Sequence, residues 1–217
     1  MHQYLFFIGN FPIRLYGIFF SLGIISGCIT AYFLLKKDRR GWESHMFDLG
    51  LVIAFAGIVG GRLWDVFFFD WEYYHNHLLE IPYIWQGGMA IQGGIIFACI
   101  AAYFYLKKHQ IPVLPFADTV TPGIILGQAV GRIANFMNGD AFGHPTGQDF
   151  GLLYPDTTLA YHTYAAQPLW QAEVWECQGD LLIFVLLLWY GCKTRAEGTT
   201  FCLYTVSYTH LTLPTNR

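Results

Sequence analysis

Charge is what this sequence has least of. Only 12% of its 217 residues are Asp, Glu, Lys or Arg, about half the share usual in a soluble domain. Two long stretches, 70–86 and 139–172, contain no Lys or Arg. A net charge of −3 excludes the basic surface that a nucleic-acid partner requires. Cysteine is present five times, at 28, 99, 177, 192 and 202, but never as a CxxC pair. In a helix, Cys177 and Cys192 would stand roughly 22 Å apart, beyond disulfide reach. The five therefore read as apolar thiols. No phosphate-cradling glycine motif, metal-ligand spacing or redox pair occurs, so no cofactor and no metal are expected. The first eleven residues lack a basic start, and the apolar run after Arg14 is too long for a secretory signal. It reads as a span that is retained.

What the chain has instead is apolar length. Hydrophobic residues make up 54% and aromatics 18%. About twenty apolar residues cross a bilayer core as a helix, and five runs qualify or nearly do: Leu15–Leu35, Asp48–Phe69, Gly93–Leu106, Asp118–Met137 and Val174–Tyr190. Basic residues follow the first, third and fifth: Lys36, Lys37, Arg39 and Arg40, then Lys107 and Lys108, then Lys193 and Arg195. The opposite loops have none. That alternation obeys the positive-inside rule and puts the N-terminus outside. Three Gly-xxx-Gly pairs, at 23/27, 57/61 and 127/131, offer faces for close helix packing. Trp64, Trp71, Trp85 and Trp170, with Tyr154, Tyr161 and Tyr164, form an aromatic belt at the outer headgroup level. No internal repeat is visible, so residues 1–206 read as one integral membrane domain. The fold expected is all-α, a polytopic transmembrane helical bundle with a Gly-rich non-helical segment and an outer loop region. From Ser207 the text breaks the run begun at Thr199, and 207–217 reads as a non-native tail.

Two arginines fall within spans, where a charge costs on the order of 3 kcal/mol on insertion scales. Arg62 has Asp65 one turn away on the same face, which makes an internal ion pair. Arg132 lies near the outer end of its span, in the run Gly131-Arg-Ile-Ala-Asn-Phe-Met-Asn-Gly-Asp-Ala-Phe-Gly143. It shares a face with Asn135. Asn138, Asp140 and His144 follow. A cation that never deprotonates, two amides and a carboxylate at headgroup level suit a phospholipid: guanidinium to phosphate, amides to ester or glycerol oxygens. An arginine that only snorkels explains Arg132 but not its polar neighbours.

That run resembles the signature of the prolipoprotein diacylglyceryl transferases, Gly-Arg-x-Gly/Ala-Asn-Phe-x-Asn-x-Glu-x-x-Gly, with Asp140 in place of Glu. Further similarities follow in order. Tyr16-Gly17 resembles the family's first-span pair, and Gly60-Gly-Arg62 its second-span motif. Gly87-Gly-Met-Ala-Ile-Gln-Gly-Gly94 resembles its Gly-Gly-x-x-x-His-Gly-Gly, with Gln92 in place of His. Asp118 stands at the family's distance before the signature, and Pro168 and Glu173 resemble its Pro-x-x-x-x-Glu. Ala172 replaces a Tyr, and a further arginine of the family would fall after Val206.

The resemblance implies transfer of the diacylglyceryl group of phosphatidylglycerol to the lipobox cysteine of a prolipoprotein, in the bacterial cytoplasmic (inner) membrane. Its partners would be phosphatidylglycerol, the lipobox signal peptide and membrane lipid. It implies catalytic roles for Arg132, Asp140, Gln92 and Tyr16. Substrate contacts would come from Asn135, Asn138, Gly143, Arg62, Asp118 and Glu173. Gln92 would sit at the tip of a cavity-lining loop, and cannot take up a proton. Asp140 and His144 are the local candidates for a base. The alternatives are a phospholipid-binding protein or transporter, which should show paired broken helices in two similar halves, a membrane scaffold, or an inactive fragment of the transferase.

Overall fold

The computed structural model describes residues 4–8, 11–84, 87–191 and 196–212. Trp85 of the expected belt, Cys192, and the basic pair Lys193 and Arg195 lie outside them. The chain opens with a feature absent from the sequence reading, an antiparallel ribbon of β1 (Tyr4–Ile8) and β2 (Phe11–Arg14). This stretch is rich in β-branched and aromatic residues, and it carries too few residues for a span. Helices make up most of the rest of the described residues. They are α1 (Leu15–Asp38), α2 (Met46–Trp64), the short α3 (Trp71–Tyr74), α4 (Ile91–Lys108), α5 (Val113–Asn138), the short α6 (Leu159–Tyr164), α7 (Ala172–Gly191) and α8 (Thr199–Thr212). A 3-10 turn, Trp42–His45, leads into α2, and a wider π turn, Asp65–Phe69, ends it. Every run read as a span is a helix. Three, α1, Trp42–Phe69 and α5, are long and apolar enough to cross a membrane; α7 carries three acids.

The chain forms two compact units, Met1–Asp38 with Ala117–Arg217, and Arg39–Phe116. In the second, α2 packs on α4 through glycine. A Cβ on Gly60 would strike Phe97 of α4, and one on Gly61 would stand 3.3 Å from the Ala90 carbonyl. In the first, α1 packs on α5: a Cβ on Gly23 would lie 2.8 Å from the Gly127 carbonyl, and one on Gly27 2.7 Å from that of Gly123. Backbones thus touch where the spacing of small residues foretells it, although on α5 the pair in use is 123/127. Nothing lies within 4 Å of a Cβ on Gly131. The outward faces carry Leu51, Phe55, Phe104 and Leu182, all well exposed, as lipid-facing side chains must be. Cys28, Cys99, Cys177 and Cys202 are free thiols.

Two details set the register of the first unit. Pro122 lies within α5 and removes one i→i−4 hydrogen bond, while Thr121 Oγ1 donates to the Ala117 carbonyl at 2.6 Å. One turn before, Asp118 reaches across to α8. Its Oδ2 accepts from Gly198 N at 2.6 Å and its Oδ1 from Phe201 N at 2.9 Å. A carboxylate at a helix N-terminus satisfies donors that have no partner within the helix; here it comes from a different helix. Asp118→Ala should therefore cost about 1–2 kcal/mol. The expected readout is a lower melting temperature in detergent with earlier proteolysis near 196–201; an unchanged melting curve would contradict this cap.

Candidate active site

Arg132 and Asn135 lie in the last two turns of α5. Gly139 then ends the helix with a φ of 72°, its N–H returning to the Asn135 carbonyl at 2.9 Å. A Cβ there would run into Thr158, so glycine is needed for both its φ and its space. The turn delivers Asp140 back to the helix end. Asn135 Nδ2 donates to Asp140 Oδ1 and Asn138 Nδ2 to Asp140 Oδ2, each at 2.6 Å. The two amides thus hold the carboxylate in one pose. Tyr16, in the first turn of α1, is close enough to feel its charge. The next residue, Ala141, has a φ of 58°, a conformation in which a Cβ is strained.

Arg132 itself is held from α7 and α8. Its Nε pairs with Glu176 Oε2 at 2.9 Å, and its Nη2 donates to the Tyr208 hydroxyl at 2.9 Å. A guanidinium has five N–H groups. Both donors on Nη1 and the second on Nη2 take no other hydrogen-bond partner among the described residues. The side chain is one-fifth exposed. This arginine is oriented and still has a face to offer.

Glu173, Glu176 and Asp180 occupy one face of α7, three and four residues apart, and all are buried. Glu173 Oε1 accepts a short hydrogen bond from the Tyr154 hydroxyl. Neither oxygen of Asp180 has a hydrogen-bond partner among the described residues. Tyr204 of α8 lies within reach of the Asp180 charge and donates to Gln128 Oε1 at 2.9 Å. Glu176 and Asp180 were missed from sequence. Their signal was there: three acids on one face of an otherwise apolar helix, where each acid needs a partner.

The loop 139–171 is folded over this centre. Gly143 N donates to the Trp170 carbonyl at 2.9 Å, and Leu152 N to that of Leu169 at 2.9 Å. Tyr154, Ala160 and Leu169 form its small core, with Phe142, Leu152 and Tyr164 against it. Tyr154 is thus no belt residue; it is buried, and its hydroxyl is spent on Glu173. His144 is exposed and pairs with the Tyr164 hydroxyl at 3.2 Å.

Several expected substrate contacts have another task here. Gly143 packs so tightly that a Cβ would stand 2.7 Å from the Trp170 carbonyl. Its value is close approach. Asp118 is corrected: both its oxygens are engaged at the start of α8, and it sits fourteen residues before Arg132, about 21 Å along a helix. Arg62 is corrected likewise. It is 3% exposed, and its nitrogens make five hydrogen bonds to Ile81, Gly87, Gly88, Glu80 and Tyr74. Asp65 forms the expected ion pair with it, at 3.9 Å. Gln92 is not the tip of a loop: the non-helical stretch is Gly87–Ala90, and Gln92 lies exposed in the first turn of α4.

A multi-pass helical membrane protein with an arginine near one helix end oriented by a carboxylate, and two amides holding a second carboxylate at the turn that follows, is the class defined by these features. A model of the family described as prolipoprotein diacylglyceryl transferase matches residues 3–212, and the chain belongs to that family. It is similar to phosphatidylglycerol–prolipoprotein diacylglyceryl transferases from several bacteria. That of Synechocystis sp. is 35% identical over 212 residues, covering 94% of this chain and 74% of the relative. That of Clostridium botulinum (strain Langeland) is 32% identical over 213 residues, covering 94% and 80%. That of Legionella pneumophila (strain Lens) is 29% identical over 205 residues, covering 94% and 77%.

Burial pushes the Tyr154 hydroxyl well up from its ordinary value, with the hydrogen bond to Glu173 and its charge adding to the rise. The unfolded chain ionises this group near pH 10; the folded chain resists. Its contribution is therefore whole below about pH 10 and is lost as pH rises further. Tyr154→Phe should flatten that alkaline decline. It should also cost about 1–3 kcal/mol at neutral pH, because Glu173 then stays buried without its donor. Melting curves from pH 7 to 11 check both. Ala141→Gly, relieving the positive φ, should gain up to about 1 kcal/mol in the same assay.

Proposed function

We propose that this chain transfers the diacylglyceryl group of phosphatidylglycerol to the lipobox cysteine of prolipoproteins, releasing glycerol phosphate. The observation that carries the reading is Arg132. It is pinned by Glu176 yet has donors to spare, in the signature run that the family match covers. In the reaction the cysteine S–H gives up its proton, which ends on the phosphate of the departing glycerol phosphate, and the thiolate forms a C–S bond to the terminal glycerol carbon of the lipid. The C–O bond to phosphate breaks, and its electron pair leaves with glycerol phosphate. The free donors of Arg132 hold that phosphate and stabilise the charge it gains.

Asn135 and Asn138 fix Asp140, and an amide N–H of Asn135 donates to a glycerol or ester oxygen of the lipid. Asp140 orients the glycerol hydroxyls, Tyr16 contacts the headgroup, and Glu173 braces the loop through Tyr154. Gln92, unable to accept a proton, serves as a hydrogen-bond partner. Residues 1–206 act as one membrane domain of the bacterial cytoplasmic membrane, with the N-terminus outside and the basic stretches 36–40 and 107–108 in the cytoplasm. Residues 207–217 are a non-native tail in this reading, so Tyr208 is left out of the site. No cofactor is required.

Vesicles containing phosphatidylglycerol and a lipobox peptide test this. The peptide should gain the mass of a diacylglyceryl group. Arg132→Ala should lower the rate at least about a hundredfold, and Arg132→Lys should not restore it, since a point charge lacks the planar fork. Full transfer by Arg132→Ala would remove the phosphate role. Lipid binding with no transfer by the unsubstituted protein would favour a binding protein or an inactive fragment.

A further inference from the structure

We infer that Arg62 is a positioning residue, a staple that holds the loop between α2 and α4 and so sets the start of α4. The inference rests on the transferase reading for its link to catalysis, and on Arg39–Phe116 alone for its geometry.

The guanidinium lies just before the π turn that closes α2. Its Nε donates to the Ile81 carbonyl at 2.7 Å. Nη1 donates to the carbonyls of Gly87 at 2.6 Å and Gly88 at 2.9 Å. Nη2 donates to the Tyr74 hydroxyl at 3.0 Å and the Glu80 carbonyl at 3.2 Å. The Tyr74 ring also lies under it, 4.9 Å from the guanidinium carbon. Five hydrogen bonds equal the number of its N–H groups. Four go to backbone carbonyls from two separate stretches, 80–81 and 87–88. The Glu80 carbonyl, at the end of a 3-10 turn, also accepts from Tyr83 N at 3.0 Å; the other three lie outside regular structure, where carbonyls have no ladder to join, and one cation reaches all four.

The glycines follow from this. Gly87 has a φ of 97° and open space around it, so it is there for its backbone angle. Gly88 has a φ of 73°, and a Cβ on it would stand 2.6 Å from Arg62 Nη1 and collide with Asp65. Its lack of a side chain is demanded by the staple itself. Two residues on, Ala90 N donates to the Gly61 carbonyl at 3.0 Å, and α4 begins at Ile91. The segment 87–90 is thus laid against the end of α2 by Arg62 and Gly61 together, and Gln92 takes its place in the next turn. A phosphate could take Arg62 only by displacing these carbonyls. Lysine cannot replace it, having no fork to reach both stretches.

The experiment uses Arg62→Ala, Arg62→Lys, Gly88→Ala and the Arg62→Ala/Gly88→Ala pair, reconstituted in phosphatidylglycerol vesicles. Hydrogen exchange over 78–90 is read first, because it needs no activity. Arg62→Ala and Arg62→Lys should each speed exchange there by about tenfold or more. Gly88→Ala should do the same, and should add little on top of Arg62→Ala, since both break one arrangement. In the transfer assay each variant should lower kcat while the KM for phosphatidylglycerol stays within about twofold, as loss of positioning rather than of binding requires. A large rise in that KM with unchanged exchange would make Arg62 a lipid ligand and overturn the staple. Fully additive effects of the pair would overturn the tie between Gly88 and Arg62. If the unsubstituted protein transfers nothing, the exchange pattern still decides the staple, and only the transferase reading fails. Should Arg62→Ala not insert, Gly88→Ala carries both readouts.

Discussion

Everything polar inside this molecule obeys one constraint: in a hydrocarbon surrounding, a donor or acceptor that the chain does not satisfy stays unsatisfied. The two intramembrane arginines show the two ways of meeting it. Arg62 uses every N–H on its own backbone and one tyrosine. Arg132 uses Nε on Glu176 and one N–H on Tyr208. Both cost energy to bury. In the first case the return is a fixed loop. In the second, three N–H groups have no hydrogen-bond partner among the described residues. The difference lies in how many N–H groups are already spoken for, and it separates architecture from chemistry better than burial or charge does.

The same logic runs through the contacts that assemble the helices. Lipid tails give no hydrophobic push between spans, so α1 and α5, and α2 and α4, approach until backbone meets backbone at glycine. Such contacts tolerate no side chain, and they fix helix register to within one residue. Asp118 adds a polar lock by capping α8 from α5. Gly143 and Gly139 do for the loop what Gly27 and Gly60 do for the spans. A site built from three helix ends and a loop needs all of these to agree.

Much of this was legible in the sequence. Span positions follow from apolar length, and every expected span is a helix. The Arg132–Asp140 run was legible because its residues are local: a helix, a glycine stop and a carboxylate two residues beyond Asn138 can meet in only a few ways. What was not legible depends on distant partners. Nothing near Asp118 tells that its donors are the amides of residues 198 and 201. Nothing near Tyr154 shows that its hydroxyl goes to Glu173 rather than to the headgroup level. Arg62 forms the ion pair that Asp65, one turn away, announces, yet it also bonds carbonyls 18 to 26 residues on. Short-range rules favour the neighbour that sequence displays. The fold favours whichever groups would otherwise remain unsatisfied. The N-terminal ribbon escaped notice because a short β pair leaves little trace beside long apolar runs.

The carboxylates around Arg132 raise a question of charge that the geometry answers. Glu176 and Asp180 lie near the guanidinium and Asp140 and Glu173 near one another, and a phosphate bound there would be repelled by each that is ionised. They are not equivalent. Asp140 has both oxygens capped by amide donors, so its charge is spread into two strong hydrogen bonds. Glu173 is turned to Tyr154, away from Arg132 in its bonding if not in its helix. Glu176 alone is paired with the cation, on Nε. The Nη side of the guanidinium is where no carboxylate is bonded, and the proposed phosphate contact would be made there, with the arginine already held from Nε. Acid on one edge of the arginine and open donors on the other is how a single cation can be buried, aimed and still free to bind.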